Sequence, residues 1–245
     1  MRITNKNGAM IDSFDSWEKA FIEVDNKIHW KEGRSAFSLA KHFTSPNIED
    51  SYGIKVLKEC LNLFGLGDVK FTHGEIEHES RFDEYRGKGR MQDLLIWGHA
   101  ERPIVTCIEA KVDETFGNTI NEAYIEADAV STKKPNSKAK TRIVNLCKEF
   151  YGNIPSSTIC NAIRYQLLYY LAGSLKEAIK IKGDLFIPVI VYHTNAFNKE
   201  IGKNNYDDYV KFLTSVGFSR CDDKDHILFK NIINGIKVFS AYIEI

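Results

Sequence analysis

The spacing of hydrophobic positions changes character along the chain, and each change predicts an element. Apolar residues at helical spacing predict helices over 17–24, 34–43 and 54–64, with Ser13 or Ser16 as the first cap and Gly65-Leu66-Gly67 as a stop. Residues 69–82 alternate instead, which predicts a strand carrying Glu75, Glu77 and Glu79 on one face. The apolar runs Leu94–Trp97 and Ile104–Ile108 then read as two buried strands. Helical patterns return over 121–130 and 141–151. A long helix over 157–180 follows, in which Ile159, Ile163, Leu167, Leu171, Leu175 and Ala178 form one stripe. Gly183 ends it, and the continuously apolar 185–192 predicts a central strand. A helix over 206–216 precedes two strands, 227–232 and 238–245, joined by the hairpin signal Asn234-Gly235. The order predicts a single α/β domain, a mixed central sheet flanked by helices. It divides into a helical part (1–67), a core (68–195) and a C-terminal helix with strands (196–245).

Chemistry concentrates where two predicted strands end. Asp93 precedes Leu94–Trp97, and Glu109 and Lys111 close the run that begins at Ile104. Because strand side chains alternate, Glu109 and Lys111 share a face with Ala110 turned away, and an antiparallel neighbour brings Asp93 beside them. Charged groups at the end of a buried strand cost several kcal/mol unless a partner or a metal compensates. Two carboxylates suit Mg²⁺, and the nearby ammonium suits activation of a water at phosphorus. The plain alternative is a Glu–Lys ion pair on a half-exposed strand.

Asp93, a gap of about fifteen residues and then Glu109-Ala110-Lys111 resemble the PD-(D/E)xK nuclease superfamily, although Gln92 stands where the pattern has proline. Gln166-Leu-Leu-Tyr-Tyr170 resembles the Q-x-x-x-Y helix motif of the RecB-like branch, and Gly89 ahead of Asp93 is similar to a glycine of that branch. The likeness spans residues 70–195. Trp30–Ala36 and Glu109–Gly117 are also similar to segments of small bacterial proteins assigned to this fold. The resemblance implies a restriction-endonuclease-like core and Mg²⁺-dependent hydrolysis of phosphodiester bonds, most directly in DNA, with Mn²⁺ as a substitute metal. Asp93, Glu109 and the Ala110 carbonyl are the implied metal ligands, Lys111 orients or deprotonates water, and Gln166 and Tyr170 support the site or touch a nucleic-acid backbone. Such sites often recruit one further upstream acid. Glu59, Glu77 and Glu79 are the candidates, with Glu79 carried forward as the fourth ligand. Asp113 and Glu114 extend the acidity.

Composition adjusts this picture. The 245 residues carry 33 basic and 33 acidic side chains, and a net charge of zero argues against tight, sequence-independent DNA binding. Locally, 133–142 holds five cations and no acid, so Lys133, Lys134 and Lys138 are candidates to grip phosphate, or else a solvated loop. Arg164 offers a planar fork for phosphate, or is an exposed helix arginine. His73 with Glu75, Glu77 and Glu79 is a second candidate metal set. The five cysteines show no C-x-x-C pairing and fit buried thiols in a reducing compartment. No apolar run approaches membrane length, and the expected location is the cytoplasm. The chain lacks P-loop, dinucleotide-binding and G-x-S-x-G signatures. Cutting both strands of a duplex would favour a homodimer. The alternative to a nuclease is a non-catalytic nucleic-acid-binding or regulatory protein on the same fold.

Overall fold

The computed structural model describes residues 1–24, 29–221 and 227–245. In chain order the strands are β1 (Arg2–Thr4), β2 (Met10–Ile11), β3 (Lys70–Ser80), β4 (Arg90–His99), β5 (Pro103–Lys111), β6 (Asp184–Phe186), β7 (Val189–Val191), β8 (Ser219–Arg220), β9 (Ile227–Ile233) and β10 (Ile236–Glu244). The helices are α1 (Phe14–Val24), α2 (Ser35–Phe43), α3 (Tyr52–Leu63), α4 (Ile120–Lys133), α5 (Ala139–Tyr151), α6 (Ser157–Ala162), α7 (Tyr165–Ile181) and α8 (Lys199–Ser215). All ten strands among the described residues join one mixed sheet in the order β2-β1-β3-β4-β5-β6-β10-β9-β8, with β7 continuing the line of β6 between β5 and β10. β3, β4 and β5 form an antiparallel meander, whereas β5, β6/β7 and β10 run parallel.

Helices cover both faces, so the central strands are apolar on both sides. On one face α1, α2 and α3 pack Trp17, Phe21, Leu39, Phe43 and Leu57 against Leu94, Ile96, Ile108 and Ile190. On the other, α4 to α8 pack Ile143, Leu167, Leu171 and Phe212 against Leu95, Val105, Cys107 and Val189. Among the described residues no helix is long and apolar enough to cross a membrane. Cys60, Cys107 and Cys147 are buried free thiols, Cys160 is a partly exposed one, and Cys221 is partly exposed.

Three expectations need correction. The N-terminal part is not purely helical, since β1 pairs with β3 and β2 with β1, which extends the sheet. The predicted helix over 157–180 is two helices. Ile163 and Arg164 are extended, and Arg164 forms a β-bridge with Thr119, so tertiary pairing overrides a continuous helical period. The predicted strand over 185–192 is likewise split into β6 and β7, with Pro188 lying between them without an amide to donate. The hairpin at Asn234-Gly235 forms as expected, with both residues at positive φ.

Candidate active site

The β4–β5 ladder ends at Leu94↔Ile108. Beyond it the Ala110 amide donates to Asp93 Oδ2 at 2.8 Å, and the Glu109 amide donates to the Pro188 carbonyl at 3.2 Å. Asp93 thus replaces a strand-to-strand bond with a side-chain bond, and the sheet opens at this point. The facing strand is irregular at the same place. Glu77 lies in register between Ile76↔Leu94 and His78↔Gln92 and has φ +49°, a conformation that a non-glycine residue rarely adopts and that marks stored strain. The kink breaks the expected alternation of acids. Glu75 accepts from His78 Nδ1 at 2.9 Å, Glu77 lines a cavity with Asp93, and Glu79 accepts the Gly89 amide at 2.8 Å.

On the α7 side of the sheet, Glu109 is 2% exposed and is surrounded by polar partners. Lys111 Nζ lies 3.0 Å from Glu109 Oε1, and Gln166 Nε2 donates to the same oxygen at 2.7 Å. Lys111 also donates to Gln166 Oε1 at 3.4 Å, which closes a three-residue ring. The buried Arg90 guanidinium pairs with the other Glu109 oxygen and lies against the Tyr169 and Tyr170 rings, 5.5 Å and 5.7 Å from their centroids. Gly173 allows that approach, since a Cβ there would stand 3.0 Å from Arg90 Cβ. Two cations and one amide therefore offset the desolvation of a single carboxylate, the arrangement a buried charge requires.

On the other side lies a cavity of about 480 Å³ lined by Asp93, Glu77 and Glu114 together with Arg34, Ser35 and His29. Burial pushes the Glu114 carboxyl up, and the neighbouring Asp113 and Asp93 add to the rise, while Ser35 and Lys111 oppose it. Burial pushes the Lys111 ammonium down, against the attraction of Glu114 and Asp93. Arg34 Nη1 meets both Asp113 carboxylate oxygens at 2.8 Å, which fixes the loop after β5 to the start of α2.

The structure thus brings Asp93, Glu109, Ala110, Lys111 and Gln166 together, and separates others from them. Glu79 is engaged by Gly89 and Arg81 (3.3 Å), and Glu77 takes the place expected for it beside Asp93. Tyr170 is positioned for support alone. It is 1% exposed, and its hydroxyl donates towards the carbonyls of Cys107 and Pro188. Arg164 is not available to phosphate as placed, because Nε donates to Asp208 at 2.7 Å and Nη1 to the Gly117 carbonyl at 2.8 Å. Lys133, Lys134 and Lys138 are exposed at the turn between α4 and α5. The second candidate set does not assemble, since His73 stacks on Trp97 at 4.3 Å. Among the described residues, no three His, Cys, Asp or Glu side chains converge tightly enough to hold a metal ion as they stand. Sequence reasoning missed Arg90. The signal was a cation three residues ahead of Asp93 at the start of a strand that reads as buried.

A family model matches residues 10–245, nearly the whole chain. The chain belongs to the DUF6946 family, a domain of unknown function. No curated protein and no solved structure matches it. For this family the site geometry, rather than a relative, carries the functional argument.

Proposed function

We propose that the chain is a metal-dependent nuclease on a restriction-endonuclease-like core, hydrolysing phosphodiester bonds, with DNA as the expected substrate. The observation that carries this reading is the split in the sheet at Asp93 and Ala110. It sets the compensated Glu109–Lys111–Gln166 ring on one side and a cavity with three further carboxylates on the other. The donor chemistry fits a hard divalent cation, because Asp93, Glu77 and Glu114 supply only oxygen, and burial, with a smaller push from Asp113 and Asp93, already raises the Glu114 carboxyl. Asp93, with Glu77 as the upstream acid in place of Glu79, faces the cavity as a proposed ligand, and Glu109, held across the split by Arg90, Lys111 and Gln166, would join it only by releasing one of those partners. Mg²⁺ bound there would polarise phosphate oxygens and lower the pKa of a bound water.

The chain's own residues do the rest. Lys111 is held as an ammonium by Glu109 and Gln166 while burial loosens its hold on the proton, so it would orient or deprotonate a water and face the developing negative charge. Gln166 fixes the rotamers of both Glu109 and Lys111, and Tyr170 anchors the β5 backbone that carries them.

Thermal denaturation with and without Mg²⁺ tests the metal site apart from catalysis. Saturating Mg²⁺ should stabilise the fold by linkage, by about 2.7 kcal/mol at one hundred times the Kd, and so raise the Tm, and Asp93→Asn should remove the gain. A wild-type Tm that ignores Mg²⁺ and Mn²⁺ would return the site to the plain ion-pair reading. Nucleic-acid binding without cleavage would favour a non-catalytic regulator on the same fold, a reading that the net charge of zero and the engagement of Glu109 by Arg90 keep in play.

A further inference from the structure

Beside Gln166, on the α7 side of the sheet, lies a second cavity of about 580 Å³ between α4, α5 and α7. Its volume falls in the range of small-ligand sites. Its lining is largely aromatic and aliphatic, with Phe116 and the part-exposed Tyr165 and Tyr169 supplying three rings. The rings are held in place. Tyr165 and Tyr169 meet edge to face at 5.0 Å, and Phe82 lies nearly parallel to Tyr169 at 6.4 Å. Arg142 stacks on Phe82 at 5.3 Å and is tied to Asp83 through Nε and Nη2, which fixes α5 to the segment after β3.

Two features link this cavity to the chemistry. Gln166 lines it and also donates to Glu109, and Phe116 lines it while Lys111 Nζ sits 5.2 Å from its ring centroid. Two of the helices that wall it, α4 and α5, are joined by the turn carrying the exposed Lys133, Lys134 and Lys138.

Rings, a guanidinium and side-chain amides around an apolar pit, with cations at one end and the exposed Glu126 the one carboxylate of the lining, match a flat heteroaromatic base attached to a phosphate backbone. A base paired in a duplex presents only its edge and cannot enter such a pit, whereas an unpaired base exposes its faces. We infer that this cavity is a nucleobase pocket that holds one unpaired base next to the scissile phosphodiester, so that the substrate is a single strand or a strand with a base turned out of the stack. This inference rests on the nuclease reading above and specifies its substrate class.

The test is a binding titration in EDTA, where metal-dependent cleavage is silent, using 2-aminopurine-labelled single-stranded DNA and RNA oligonucleotides and a blunt duplex of the same sequence. Ala139 and Val130 line the pocket on its exposed rim, so Ala139→Trp and, separately, Val130→Trp fill it without entering the core. The expected result is tighter binding of a single strand than of the duplex, quenching of 2-aminopurine, and a loss of about tenfold in affinity in both variants at unchanged Tm, the size of one aromatic–base stack. Equal binding of duplex and single strand, or unchanged affinity in both filled variants, overturns the pocket. Metal-dependent cleavage measured in parallel separates the two claims. Cleavage that the filled variants retain on both substrates overturns the pocket and leaves the nuclease standing. Single-strand binding that the variants lose, without cleavage by the wild type, keeps the pocket and refutes the nuclease. No binding and no cleavage of any probe refutes both.

Discussion

His78 gives the account its most quantitative stability prediction. It sits on β3 with a 16% exposed side chain, between Glu75 (Nδ1 to Oε1, 2.9 Å) and Glu177 of α7 (Nε2 to Oε1, 3.5 Å). Burial pulls its pKa down, but hydrogen bonds and attraction from Glu177 and Glu75 outweigh that and push it up to about 9 from an ordinary 6.5. The folded protein therefore holds this proton more tightly than the unfolded chain. The resulting stability is fully present below pH 6.5 and is lost as pH rises through about 9. At about 1.4 kcal/mol for each tenfold change in proton affinity, the pH-dependent part is ~3 kcal/mol. The attraction between His78 and Glu177 is a single interaction and is counted once, although it also lowers the Glu177 carboxyl. Urea denaturation of wild type and His78→Gln from pH 6 to pH 10 is the assay. The wild-type advantage should be largest near pH 6 and shrink by roughly 3 kcal/mol by pH 10. A gap that stays constant over that range would refute the reasoning, because it would mean that the imidazole is neutral in the folded state.

Two further predictions concern the groups that hold the site. Arg90→Met leaves Glu109 with one cation, which should destabilise the protein by about 3 kcal/mol or more. Mg²⁺ should then raise the Tm of this variant more than that of the wild type, and urea titrations with and without Mg²⁺ check both effects. Tyr170→Phe removes the donor to two buried carbonyls and should cost about 1–3 kcal/mol, read as a lower urea midpoint at unchanged slope.

Much of the fold was legible because its signals are local. The period of 3.6 marked α1 to α3 and α5, the alternation marked β3, and Asn234-Gly235 marked the terminal hairpin. The failures share one physical origin, namely that long-range pairing decided what local periodicity could not. Arg2–Thr4 is too short to show a period and becomes a strand through pairing with His73–Glu75. Ile163 belongs to a helical stripe by spacing, yet the bridge between Thr119 and Arg164 beside it breaks the helix. Of the candidate site, Asp93, Glu109 and Lys111 were readable because each flanks a strongly apolar run, and Gln166 through the Q-x-x-x-Y resemblance. Glu77 was not distinguishable from Glu79, since the choice depends on a backbone kink with φ +49°. Arg90 was hidden for a related reason. A cation at a strand start usually faces solvent, and only the packing of α7 through Gly173 buries it against Glu109.

The most direct test of the central claim is cleavage of supercoiled plasmid and of single-stranded DNA with Mg²⁺ or Mn²⁺, with Lys111→Ala protein purified identically alongside. The account predicts metal-dependent cutting that falls by about a hundredfold or more in the variant, the loss expected when a positioned proton-transfer group is removed. Cutting that survives in Lys111→Ala at the wild-type rate would contradict it.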